Sequence, residues 1–299
     1  MGKTMSFLKR CLTFSLLLVA LYGGWQWFVS PLVFTLSEHA PIALVNDDAV
    51  SPNQLTHGHN NAFCLKMEPL EPLDNQGQLR VLSWNIYKQK NDGWDSELLQ
   101  LLARTELSLL QEVSLSPSFV NWLNQLDWFG QQASAFEVFD KSSGVFNLSQ
   151  RLPEKVCAVF ETEPWLQLPK SALFASYQLS NGDSLWVVNL HAVNFTLGTE
   201  EFEQQLAELE QALIEHQGPA IFAGDFNTWS ETRQAKAKNV MRTLGLKEAQ
   251  FTPDLRTTFA ITGQPLDHIF YRGLQLKKAE VINTSASDHN ALWVEFTLN

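Results

Sequence analysis

Between residues 79 and 299 the chain repeatedly carries an apolar, strand-forming run to a side chain that can bind a metal or move a proton. Val81-Leu82-Ser83-Trp84 ends on Asn85, the run from Leu107 to Gln111 ends on Glu112, and Trp186 to Leu190 ends on His191. Ile221-Phe222-Ala223-Gly224 ends on Asp225, with Asn227 just beyond. Asp267 interrupts Leu266-Asp267-His268-Ile269-Phe270, and Asp288-His289 stands immediately before the last apolar run. One such residue alone is ordinary turn chemistry, and a lone histidine is more often a packed or surface side chain than a catalyst. Their joint occurrence asks for a fold that brings many strand ends to one edge. That edge would gather the carboxylates of Glu112, Asp225, Asp267 and Asp288, whose repulsion is costly unless a cation or partners offset it. A hard divalent metal is the natural counter-charge.

The strand-like segments are Leu79 to Tyr87, Glu106 to Gln111, Gly144 to Leu148, Lys155 to Phe160, Ala172 to Leu179, Ser184 to His191, Ala220 to Ala223, Leu266 to Tyr271, Leu276 to Ile282 and Ala291 to Leu298. Helical periods fall at Asp95 to Arg104, Pro117 to Leu126, Thr199 to His216 and Ser230 to Leu244. In the third, Phe202, Leu206, Leu209 and Leu213 form one apolar stripe, and in the fourth Ser230 is an N-cap ahead of Ala237, Val240, Met241 and Leu244. So many strands need more than one sheet. The pattern predicts an α/β fold of two sheets packed face to face with helices outside, and no internal repeat is present.

Residues 1–30 read differently. Lys3, Lys9 and Arg10 precede an uncharged apolar run from Cys11 to Val29, which at about 1.5 Å per residue spans roughly 28 Å, near a bilayer's hydrocarbon thickness. The expectation is an N-terminal transmembrane anchor, with a cleaved signal peptide as the alternative; Tyr22 to Trp25 offers no clear small-x-small cleavage site. No basic residue follows until Lys66, so the positive-inside rule puts the rest of the chain outside the cytoplasm, periplasmic in a Gram-negative cell. A secreted or a cytoplasmic protein is the alternative. Residues 31–77 read as a tether with one short packed stretch around Phe63 to Met67, and residues 78–299 as the folded domain. Cys64 and Cys157 are the pair available for a disulfide in an oxidising space; two reduced, half-buried thiols are the alternative.

The strings SWNIY, LLQEV, NLHAVNF, AGDFNTW, PLDHIFYRG and SDHNALWVEF stand in that order. Together they resemble the endonuclease/exonuclease/phosphatase superfamily, the fold of DNase I, exonuclease III and neutral sphingomyelinases. WNIYKQ, KSAL, HAVNF, GDFN and ASDHN are similar to its YafD-like branch. The resemblance covers about residues 79 to 299. It implies a four-layer α/β sandwich of two mainly antiparallel sheets flanked by helices, and hydrolysis of a phosphate ester by activated water with Mg²⁺ or Mn²⁺. By the same resemblance, Glu112 would be the main metal carboxylate, with Asn85 and Asp288 completing the metal shell. His289 would contact the phosphate, held in its tautomer by Asp267. Asp225 would orient or deprotonate the water, Asn227 would donate to the phosphorane oxygens, and His191 would bind the phosphate or help the leaving group. Asn85, His191, Asn227 and Trp229 would touch substrate. His268 stands where the family more often has an apolar residue and reads as strand packing. Gly144 to Ser149 offers no counterpart of the glutamate that partners the histidine in secreted DNases.

The resemblance implies a phosphoester substrate, and three readings of the chain compete. Arg233, Lys236, Lys238, Arg242 and Lys247 follow the GDFN loop and, with Trp229 as a stacking ring, suit a nuclease; a solvated helix face is the plainer account. The formal net charge of −11 does not favour tight, sequence-independent DNA binding. A lipid or small-molecule phosphodiesterase or phosphatase is the second reading, for which the anchor would hold the enzyme at the membrane. A non-catalytic scaffold is the third, and it leaves the retained carboxylates and histidines without a purpose. No obligate protein partner is implied.

Overall fold

The computed structural model describes residues 34–35, 42–46, 55–57, 63–69, 71–138, 141–162, 169–194 and 198–299. In chain order the strands are β1 (Phe34–Thr35), β2 (Ile42–Val45), β3 (Leu55–His57), β4 (Phe63–Lys66), β5 (Gln78–Asn85), β6 (Leu107–Ser114), β7 (Phe129–Val138) and β8 (Lys141–Ser149). They continue with β9 (Lys155–Thr162), β10 (Pro169–Gln178), β11 (Ser184–His191), β12 (Ala220–Asp225), β13 (Lys247–Glu248), β14 (Asp267–Arg272), β15 (Leu274–Ile282) and β16 (Ala291–Leu298). The helices are α1 (Trp94–Leu102), α2 (Pro117–Leu123), α3 (Glu200–Ile214) and α4 (Glu231–Thr243).

One sheet runs β1-β7-β8-β6-β5-β16-β15, with β2 also paired to β7, and the other runs β13-β14-β12-β11-β10-β9-β4-β3. Among the described residues each holds one parallel pair, β5 with β6 and β11 with β12, joined through α1 and α3 respectively, and the other strand pairings are antiparallel. The expected mainly antiparallel two-sheet sandwich is present. Parallel strands end at the same edge, and β16 and β14 run antiparallel to β5 and β12, so they begin there. Asn85, His191, Asp225, Asp267 and the residues just before β16 therefore share one rim.

Alternation along the strands divides the apolar side chains into layers. Leu79, Val81, Leu107, Leu109, Val187, Ile221, Ala223, Ile269 and Val294 fill the space between the sheets. Phe202, Leu206, Leu209 and Leu213 of α3 and Ala237 and Met241 of α4 cover the outer face of the second sheet, as the helical stripes predict. Leu98, Leu101, Leu102 and Phe119 cover the first. Ser230 caps α4 by accepting from Arg233 N at 3.3 Å.

Two features depart from expectation. Strand β7 lacks a continuous apolar face because Gln131 and Gln132 are buried in it; the Gln132 amide donates to Val113 O at 3.0 Å and accepts from Ser142 Oγ at 2.6 Å, which satisfies it without an apolar partner. The segment 31–77, expected as a tether, enters both sheets. β1 and β2 pair with β7, β4 pairs with β9, and β3 pairs with β4. Cys64 and Cys157 stand opposite each other across β4 and β9 and are joined by a disulfide. The apolar run from Cys11 to Val29 lies outside the described residues, and among these no helix is long and apolar enough to cross a membrane.

Candidate active site

The rim begins where β12 lies between its parallel neighbour β11 and its antiparallel neighbour β14. His191 lies across from Asp225 in register, and Asp225 lies across from Asp267. Gly224 makes that approach possible: its φ of 139° lies where side chains are disfavoured, and a Cβ there would stand 2.0 Å from Leu190 O. Asp225 then accepts from the Asn85 amide at 3.0 Å and from Asn227 N at 2.9 Å. The Asn227 side chain donates to Ala192 O at 2.9 Å, and its backbone takes the left-handed φ of 49°. Buried Arg233 holds this loop from below by donating Nε to Asn227 O at 2.9 Å and a further N–H to Val193 O.

On the other side, His289 Nδ1 lies 2.7 Å from Asp267 Oδ2. The His289 backbone is fixed by the Trp84 indole, which donates to its carbonyl at 2.9 Å, and Ser287 Oγ ties the same loop to Asn85 O at 2.6 Å. The SWN and SDHN strings thus brace each other. His191 Nε2 is 3.6 Å from Asp225 Oδ2, 3.8 Å from Glu112 Oε1 and 3.0 Å from Lys170 Nζ. Gln205 of α3 accepts from Val193 N at 3.0 Å, beside that histidine.

The electrostatics follow from this crowding. Burial and the Lys170 ammonium push His191 down to about 4, against the pull of Asp225 and Glu112. Burial would raise Glu112, yet His191, when charged, and the Lys88 and Lys170 ammonium groups pull it well below the usual carboxylate range. With His191 neutral at pH 7, the Lys88 and Lys170 ammonium groups keep Glu112 ionised. Burial also opposes a charged His289, but Asp267, Asp225 and Asp288 outweigh it and lift it to about 10.

Asp225, Asp267 and His289 offer ligand atoms that all lie within 4.8 Å of one another. Of the expected metal set, Asn85 is buried against Asp225, Glu112 is half-buried and paired with Lys88, and Asp288 is exposed. An oxygen-rich, carboxylate-dense donor set of this kind suits a hard divalent ion. Trp229 is half-buried, with Phe259 at 6.1 Å and the Arg233 guanidinium at 5.4 Å. Of the basic residues around α4, Arg233 is wholly buried, while Lys236 pairs with Glu203 and Lys238 with Glu248. His268 does stack on Phe270, but it also lies 2.6 Å from Glu248 Oε1 and 2.7 Å from Thr228 Oγ1, so strand packing is only part of its role. Lys88 and Lys170 were not singled out in sequence, although both stand inside the strings WNIYKQ and KSAL.

Comparison with known proteins agrees with this geometry. The endonuclease/exonuclease/phosphatase family model matches residues 82–289. A UPF0294 protein of Vibrio cholerae serotype O1 is 47% identical over 277 residues, covering 91% of this chain and 98% of its own length. An endonuclease/exonuclease/phosphatase family protein from Leptotrichia buccalis superposes with a TM-score of 0.60 at 16% identity, over 74% of this chain and 100% of that one. D. rerio TDP2 complexed with a single-strand DNA product gives a TM-score of 0.53 at 20% identity, over 74% of this chain and 99% of that one. From the ordered strings, the two-sheet sandwich and the matched 82–289 span together, the chain belongs to the endonuclease/exonuclease/phosphatase family.

Proposed function

We propose that the protein is a Mg²⁺- or Mn²⁺-dependent phosphoesterase that hydrolyses a phosphodiester with activated water. The observation that carries this reading is the single rim on which the Asp267–His289 pair, Asp225, Asn227, His191 and Glu112 meet. Glu112, Asn85 and Asp288 would hold the cation, whose chemistry is to neutralise charge on the phosphate. Asp225 orients the water and takes its proton as the water oxygen bonds to phosphorus and the ester oxygen leaves. Asn227 and His289 stabilise charge gathering on the phosphoryl oxygens, and Asp267 keeps the His289 imidazole aimed. His191, neutral and hydrogen-bonded, faces the same phosphate.

A nuclease-type substrate is the first choice, supported by the fold shared with D. rerio TDP2 complexed with a single-strand DNA product. A membrane lipid or small phosphodiester is the second, supported by the acidic partners that occupy Lys236 and Lys238 and by the apolar run from Cys11 to Val29. The catalytic domain is proposed to sit outside the cytoplasm on that run as an anchor, supported by the disulfide, which an oxidising compartment maintains. The full chain should be assayed with Mg²⁺ or Mn²⁺ against plasmid, single-stranded DNA, RNA, sphingomyelin, phosphoinositides and a generic diester. Activity on one class that a chelator abolishes and metal restores is expected; activity undiminished in chelator would sink the metal-dependent reading. A reporter enzyme active only outside the cytoplasm, fused after Asn299, should work, and a stable but inactive fusion refutes the placement.

A further inference from the structure

We propose that Lys88 is a built-in competitor for the divalent cation at Glu112, held there by a strained turn; the inference rests on the phosphoesterase reading above. The Lys88 ammonium lies 2.5 Å from Glu112 Oε2. It takes a carboxylate oxygen that a hard cation would otherwise use. The side chains are only 35% and 17% exposed, so water screens the pair less than a fully exposed one.

The backbone beneath it is unusual. Tyr87, Lys88 and Gln89 follow one another with φ of 50°, 53° and 54°, and Glu112 itself has φ of 53°. Non-glycine residues disfavour this left-handed region, and a run of three persists only where its surroundings over-determine it. The surroundings do so here. Gln89 clamps Ser114 from both sides, donating to its carbonyl at 3.2 Å and accepting from its N–H at 3.0 Å. Ile86 N donates to Gln111 O at 3.0 Å, and Tyr87 N donates to Asn85 Oδ1 at 3.0 Å. The turn is thus fastened to β6 just before and just after Glu112, and it delivers Lys88 onto that one carboxylate.

Lys88 and a cation therefore exclude each other at Glu112 Oε2, and a cation that needs both oxygens of that carboxylate must displace the ammonium. The ammonium lowers the apparent cation affinity by the fraction of time it occupies the carboxylate. When Glu112 turns to a cation, Lys88 is set free as a positive charge on the rim of the site.

Calorimetric titration of the full chain with Mg²⁺, and separately Mn²⁺, in the absence of substrate tests this directly. Lys88→Met should tighten cation binding about tenfold. Lys88→Arg restores a cationic partner and should not tighten it. Gln89→Ala keeps the charge of Lys88 but unfastens the turn, and should tighten binding several-fold. Unchanged or weaker binding in Lys88→Met overturns the proposal. So does tightening in Lys88→Met with none in Gln89→Ala, which would make Lys88 a distant charge and not an occupant. Cation binding that ignores Lys88 leaves the phosphoesterase reading standing, whereas no cation binding by any of the four proteins overturns both. Thermal melts establish that each variant is folded.

Discussion

His289 keeps its proton because Asp267, Asp225 and Asp288 together outweigh the burial that opposes its charge, lifting it to about 10. An unfolded histidine titrates near 6.5, so the folded state binds this proton more tightly than the unfolded one. The stabilisation is fully present below about pH 6.5 and is lost as the pH rises through about 10. Melting temperatures in chelator should fall across that window, and Asp267→Asn should flatten the fall. The same pair separates two roles. Asp267→Asn should lower the maximal rate with little change in calorimetric cation affinity, because an amide offers the imidazole the wrong partner. Glu112→Gln should raise the cation concentration for half activity, with excess metal returning part of the rate; equal losses of cation affinity in both variants would reverse the assignment. Asn85, Glu112, His191 and Asp225 were legible in sequence as polar residues closing apolar runs, and Asp267 and His289 as polar residues that interrupt or precede one. Lys88 and Lys170 were not, since a lysine in a strand or turn carries no periodic mark and its partner is chosen by the fold.

The elements were legible where an apolar run was strong, as in β5, β11, β12 and β16, and illegible where burial is polar or local. β7 is held by buried amides, and β1 to β3 are so short that their stability comes from the strands they join, whereas β4 falls on the short packed stretch expected around Phe63 to Met67. The turn from β12 into the Asn227 loop is the opposite case, since GDFN announces it and Gly224 enforces it. Gly224→Ala would press a methyl group onto Leu190 O and force a left-handed φ on alanine. A loss of roughly 3 kcal/mol is expected in denaturant unfolding, and a variant as stable as the parent would show that the close approach of β12 to β11 is relaxed. Because β1, β2, β4 and β3 cover strands that would otherwise be edges, an isolated domain starting at residue 78 leaves β7 and β9 with unpaired backbone groups. Assays therefore belong on the full chain.

Across the whole molecule, the disulfide closes a long loop between residues 93 positions apart in sequence. Loop-closure entropy gives such a link a stabilisation of about 4.6 kcal/mol, so a reductant or the Cys64→Ser, Cys157→Ser pair should lower unfolding stability by up to that amount, read in denaturant titrations. An undiminished midpoint would mean the link adds nothing beyond the β4–β9 pairing. The covalent tie also fixes how far the molecule can come apart from one end. β1, β2 and β3 all precede the covalent tie and can detach ahead of it, β2 at the cost of its buried Val45 and of the Asn46 side-chain bonds to the Leu123, Leu126 and Trp128 carbonyls, but unravelling halts at Cys64 because β4 is chained to β9. A protease working inward from the N-terminus should therefore leave a limit fragment that begins near residue 63 and keeps the catalytic rim closed. Only reduction would let digestion run further, which makes the Cys64–Cys157 bond a backstop between the outermost strands and the part of the chain that must stay shut.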